Sequence, residues 1–256
     1  MCKICEENIP DNVTALVLGI CEIKNIPNTF TKLTYLTCYS LINIIDIPNT
    51  FTSLICLNIS GCVNLTLIPD TLVNLQQLDC DGCTSLTSIP DTFINLKQLD
   101  CDGCTSLTSI PDTFINLEQL DCDGCTSLTS IPDTFINLKQ LNCENCIYIT
   151  EISDSLIKLN NLTCGGCINL VKIPIIYHLS YDIKCKWLNT PSNKPYQFNI
   201  KKVKYLQLWL RKNIKYFIFK RWIKSEDGVK WLYDPCRIGG KVSKHSILKN
   251  ISLYEV

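Results

Sequence analysis

A single 21-residue period governs most of this chain. Residues 79 to 95, 100 to 116 and 121 to 137 all read DCDGCTSLTSIPDTFIN, each copy preceded by Leu, a polar residue, Gln and Leu. Counting by 21 from Ile110 reaches Ile26, Ile47, Ile68, Ile89, Ile131, Ile152 and Ile173. The next position is Pro27, Pro48, Pro69, Pro90, Pro111, Pro132 and Pro174, with Ser153 the one exception. From Leu99 the same step gives Ala15, Leu36, Leu57, Leu78, Leu120, Leu141 and Leu162, so the register is expected never to slip. A unit this short cannot enclose its own apolar side chains; stacked units bury them between neighbours, and at least three are needed.

Within the unit, Leu99 and Cys101 alternate with Gln98, Asp100 and Asp102, the period of two that marks a short strand with one dry and one wet face. After the strand the apolar residues fall every third position, at Cys104, Leu107 and Ile110, which suits a coil turning through 3₁₀ or irregular geometry. Pro111 lacks an amide donor and belongs on the side away from the sheet. The unit L-x-x-L-x-C-x-x-C-x-x-L-x-x-I-P-x-x-F-x-x resembles the leucine-rich repeat, with cysteine in both variable slots. The resemblance covers roughly residues 12 to 188. It implies an α/β solenoid with a curved parallel β-sheet on its concave face and short 3₁₀ or extended convex segments. Together with the Asn/Ile/Lys-rich composition and the basic tail around Tyr233 to Lys241, the wording is similar to leucine-rich-repeat proteins of giant DNA viruses of amoebae.

Five C-x-x-C pairs, Cys80/Cys83, Cys101/Cys104, Cys122/Cys125, Cys143/Cys146 and Cys164/Cys167, would suggest zinc if read alone. The columns point elsewhere. The first continues as Val17, Cys38, Ile59 and Cys185, the second as Ile20, Leu41, Cys62 and Leu188, and slots that accept Val, Ile and Leu are apolar and inward. Core thiols are therefore expected, with no metal and no cofactor. Disulfides between neighbouring coils would meet the Cα distance requirement, but parallel side chains are poorly aimed for the bond. Cys2 and Cys5 lie outside the array in an N-terminal cap, residues 1–11.

If the strands are placed correctly, alternate residues face a concave groove. The first coils present Leu16, Leu18, Tyr35, Tyr39 and Asn58; the middle coils present Asp79, Asp81, Asp100, Asp102, Asp121 and Asp123, followed by Glu144; the last present Lys184 and Lys186 beside Trp187. Neighbouring like charges about 5 Å apart cost about 0.8 kcal/mol each in a water-like dielectric, so this grid favours a cation or a basic partner. Two readings stand side by side. The carboxylates are solvated strand residues multiplied by duplication, or they form a docking surface for a Lys/Arg-rich peptide with the tyrosines as an apolar anchor. Calcium is the weaker option, because ladder carboxylates lack a wrapping loop.

The formal charge of zero conceals a division. Residues 1 to 194 carry 10 basic and 20 acidic side chains, a net of −10, and residues 195 to 256 carry 14 and 4, a net of +10. The array is assigned to 12–194, and 195–256 to a basic, aromatic-rich helical cap or tail: Ile200, Val203, Leu206, Leu210, Ile214 and Phe217 keep helical spacing while Lys201, Lys204, Arg211 and Lys215 take another face. Its basic face would suit nucleic acid or an anionic surface, the alternative to a protein partner. No run long enough for a spanning helix occurs, and the start lacks the apolar stretch of a secretory signal, so a cytoplasmic monomer is expected. The two histidines, His178 and His245, stand in no nucleophile motif, and an enzyme is not expected.

Overall fold

In the computed structural model, residues 9–19, 23–174 and the backbone of 180–181 are described. All of them belong to the first of the chain's two units, Met1–Trp187. The expected C-terminal helices, residues 1–8 of the expected cap, Cys185, Lys184, Lys186, Trp187 and both histidines lie outside the described residues.

Among the described residues, nine strands form one parallel sheet in chain order. They are β1 (Ala15–Gly19), β2 (Tyr35–Tyr39), β3 (Cys56–Asn58), β4 (Gln77–Asp79), β5 (Gln98–Asp100), β6 (Gln119–Asp121), β7 (Gln140–Asn142), β8 (Asn161–Thr163) and β9 (Ser180–Tyr181). From β2 to β8 the register follows the period, Leu36↔Leu57↔Leu78↔Leu99↔Leu120↔Leu141↔Leu162. The central leucine of each three-residue strand is buried and its neighbours are not, as alternation requires.

The two ends depart from the count. β1 pairs Leu16 with Leu36 and Leu18 with Cys38, a step of 20. Leu16 and Leu18 are therefore core residues and not groove residues, while Val17 is 65% exposed. Because Ile26 and Ile47 are both buried 21 residues apart, the missing residue lies between β1 and Ile26. A slip of one residue exchanges the two faces of a strand, and here it buries two leucines where the unbroken count would bury Ala15 and Val17. At the other end Ser180 and Tyr181 pair with Asn161 and Leu162, 19 residues on, so the 21-residue step does not reach β9.

The interior is made of columns. Leu96, Leu99, Cys101, Cys104, Leu107, Ile110 and Phe114 of one coil are all 5% exposed or less, and the same slots are buried in the coils on either side. The largest fully buried side chains include Phe51, Phe93, Phe114 and Phe135. The convex path holds no helix among the described residues; it is built from extended segments and single turns, such as Leu107 N–H to the Cys104 carbonyl and Leu117 N–H to the Phe114 carbonyl, both at 3.0 Å. Two polar columns staple it. Thr71, Thr92, Thr113 and Thr134 donate their hydroxyls to backbone carbonyls of the preceding coil at 2.6–2.7 Å. Asn74, Asn95, Asn116 and Asn137 do the same with their amides at 2.8–3.1 Å.

The paired cysteines have a specific task in this core. The carbonyl of Cys101 leaves the sheet ladder to accept the Cys104 N–H of its own turn, at 3.1 Å. It also receives the thiol of Cys125 from the next coil at 3.0 Å. Cys104 reaches the Cys80 carbonyl, Cys146 that of Cys122 and Cys167 that of Cys143 in the same way, at 2.8–3.1 Å. The second slot thus rewards a small side chain that carries a weak donor, since it caps an otherwise half-used buried carbonyl.

Candidate functional site

The sheet face opens as a groove of about 710 Å³ lined by β3 to β8. Its outward residues form two parallel columns: Cys56, Gln77, Gln98, Gln119, Gln140 and Asn161 at the start of the strands, and Asn58, Asp79, Asp100, Asp121, Asn142 and Thr163 at their end. No Lys, Arg or His is among the groove's described lining.

Asp79, Asp100 and Asp121 are brought together at one register position. Asp81, Asp102 and Asp123 are not strand residues; each sits in the turn that follows, before Gly82, Gly103 or Gly124. They remain tied to the sheet, because the coil-to-coil ladder continues through the turn: Gly82 N–H meets the Asp102 carbonyl at 2.7 Å, Gly103 that of Asp123 at 2.8 Å and Gly124 that of Glu144 at 2.9 Å. The turn demands left-handed backbone, with φ of +65 at Gly103 and +64 at Gly124. In the same slot Ser40 and Asn145 adopt φ of 56, so the conformation belongs to the turn and glycine meets it at least cost. Tyr35 and Tyr39 lie on β2, 54% and 44% exposed, next to the groove and outside its lining. The Tyr39 ring lies over Gly19, where a Cβ would come within 2.7 Å of it.

The third residue of each strand has a local task that periodicity alone does not show. The Asp100 carboxylate accepts the Asp102 N–H at 3.3 Å, and Asp121 accepts that of Asp123 at 3.1 Å. Asn58 and Asn142 serve Ser60 and Glu144 identically, at 3.0 and 3.2 Å. These are Asx turns that end the strand, and either an amide or a carboxylate oxygen makes them. The amides that flank the three aspartates do more: Asn58 donates to Asp79 at 2.5 Å and Asn142 to Asp121 at 3.1 Å. Asp100, in the middle, has no such donor. Burial, and then the charges of Asp121, Asp79 and Asp81, push its carboxyl up to about 6 against the opposing hydrogen bond from Asp102. Burial and then Asp81 raise Asp79; burial, then Asp123, Asp81 and Asp121, raise Asp102. The face is an anionic surface whose charges are held closer than their own repulsion favours.

The thiols behave in the opposite sense from a ligand set. The neighbouring thiol of Cys125 and then burial hold Cys101 well above the ordinary thiol range, and Cys146 and burial do so for Cys122. Groups kept protonated and already donating to carbonyls are poor metal ligands and poor nucleophiles. Cys56, at the groove's edge, is the only described cysteine that is not buried. Reading the sequence for charge picked out the aspartates and placed Asn58 in the groove, but did not single out Asn142 or the glutamine column; the recurring Gln two residues after Leu was the available signal.

No protein-family model matches the chain, and no curated protein does. Solved structures do. The leucine-rich-repeat domain of the type III effector XopL superposes with a TM-score of 0.51 and 23% identity, over 67% of this chain and 69% of that one. A leucine-rich-repeat protein of T. pallidum gives 0.38 and 17% over 73% and 88%. The functional domain of InlJ from Listeria monocytogenes, described as including a cysteine ladder, gives 0.45 and 21% over 66% and 46%. The described solenoid has the leucine-rich-repeat fold.

Proposed function

We propose that this chain is a non-enzymatic interaction module whose sheet face captures a basic or mixed polypeptide surface. The observation that carries this is the alignment of Asp79, Asp100 and Asp121 in a groove with no basic residue in its described lining. Asp81, Asp102 and Asp123 widen the anionic surface at the turn, and exposed Tyr35 and Tyr39 supply an aromatic anchor beside it. Repeat solenoids present broad faces of this kind, and the fold supports a scaffold role more than a catalytic one. Among the described residues no helix is long and apolar enough to cross a membrane. The expected setting is a reducing cytosol, that of a host cell if the likeness to giant-virus proteins holds, with the chain acting as a monomer.

The test is binding of an arginine-rich peptide to the full chain and to a variant with Asp100, Asp102, Asp121 and Asp123 replaced by Asn. Binding that weakens in the variant and loses its salt dependence supports the reading; unaltered binding removes the carboxylates from it. A second reading comes from the +10 net charge of residues 195 to 256, which suits nucleic acid or an anionic surface with the repeats as scaffold. Duplex DNA that shifts with the full chain at low salt and is released at moderate salt supports it, and no shift at low salt ends it.

A further inference from the structure

We infer that the groove of β3 to β8 holds its basic peptide in the polyproline II conformation, laid along the solenoid axis with Lys or Arg at every third residue. This rests on the docking role proposed above for the same face. Beside the aspartates runs a column of four exposed side chains, Gln77, Gln98, Gln119 and Gln140, one per coil, whose amides make no hydrogen bond to any described residue. A carboxylate column and an amide column side by side match a ligand that offers cations on one flank and free peptide groups on the other. An α-helix spends its backbone groups on itself, whereas a polyproline II chain leaves every available N–H and C=O open.

Spacing makes the same choice. Paired strands stand about 4.7 to 4.9 Å apart, so two coils advance roughly 9.4 to 9.8 Å, slightly less on a concave face. One polyproline II turn of three residues advances about 9.3 Å. An extended strand presents like-facing side chains about every 6.6 to 6.8 Å, which fits neither one coil nor two. Cations three residues apart therefore fall on alternate coils, meeting Asp79 and Asp121 together, while Asp100 lies between them. Carbonyls and amides of the ligand backbone fall opposite the glutamines.

Fluorescence anisotropy with the full chain at low salt tests this, using labelled peptides of five Arg-Pro-Pro triplets, of the same residues with irregular arginine spacing, and of five Arg-Gly-Gly triplets. The expected result is binding of the regular proline peptide about tenfold tighter than either of the others. A double variant, Gln98→Ala with Gln119→Ala, is expected to bring that peptide down to the level of the irregular one and leave the irregular one unchanged. Equal affinity for all three peptides, or no effect of the glutamine changes, overturns the inference while the docking role stands. Absence of binding by any of them takes both away.

Discussion

Replacing Asp100 by Asn should stabilise the array at neutral pH and leave it unchanged in acid. The amide keeps an oxygen for the Asp102 N–H, as Asn58 and Asn142 do in neighbouring coils, and removes the charge that stands between Asp79 and Asp121. Unit charges about 5 Å apart repel by roughly 0.8 kcal/mol in a water-like dielectric, so the two flanking pairs amount to about 1.7 kcal/mol with all three ionised. The rise from 3.8 to about 6 corresponds to about 3 kcal/mol before screening, and partial exposure of the carboxyl brings this to about 1.5 kcal/mol. Because the folded-state value lies above the unfolded one, the fold favours the protonated acid. Stability from this group is complete below about pH 4 and is lost as pH rises through about 6. Urea denaturation of both proteins at intervals from pH 4 to pH 8 isolates the effect, since the other carboxylates largely cancel in the difference. The curves should coincide at pH 4 and separate by about 1 to 2 kcal/mol in favour of the variant by pH 7. A variant equal or inferior at pH 7, or a difference independent of pH, would refute the reasoning.

Thiol labelling with a maleimide on the native chain, read by mass spectrometry, should spare the twelve buried cysteines from Cys38 to Cys167 and modify them only after denaturation; rapid native labelling of Cys101 or Cys125 would contradict their placement. Gly103→Ala should lower stability by about 1 to 2 kcal/mol because φ is +65 there, and Gly103→Asn should cost less, as Asn145 already fills the equivalent slot; chemical denaturation of the pair decides it. Phe114→Ala should cost about 3 to 5 kcal/mol from the cavity it leaves, measured by thermal unfolding, and a loss under 1 kcal/mol would mean that the column can collapse around it.

The repeat was legible because one buried column repeated in phase leaves few alternatives. Counting columns placed the leucines of β2 to β8 opposite one another and turned the cysteines inward. It failed at β1, where Leu16 and Leu18 would have pointed outward: a residue missing from a connection leaves no mark when Ile26, Pro27 and Phe30 keep their phase on the far side. The groove was legible in part. Aspartate announces itself by charge, but the Asx turns that make Asp79, Asp100 and Asp121 useful to the fold depend on backbone direction. The Asn58 and Asn142 amides matter only because the sheet sets them beside carboxylates 21 residues away. The thiol-to-carbonyl bonds were hidden for the same reason, since they join residues 24 apart.

Among the described residues, every side-chain fastening between coils, whether thiol, threonine hydroxyl or asparagine amide, reaches only the adjacent coil. Mechanical or thermal damage therefore propagates like a tear along a zip: a defect in a terminal coil shortens the array, whereas one around Phe114 divides it into two halves that must each hold alone. The same locality lets a whole coil be inserted or deleted in the middle of the array without any distant residue registering the change, so the length of the anionic face can vary while its chemistry stays constant.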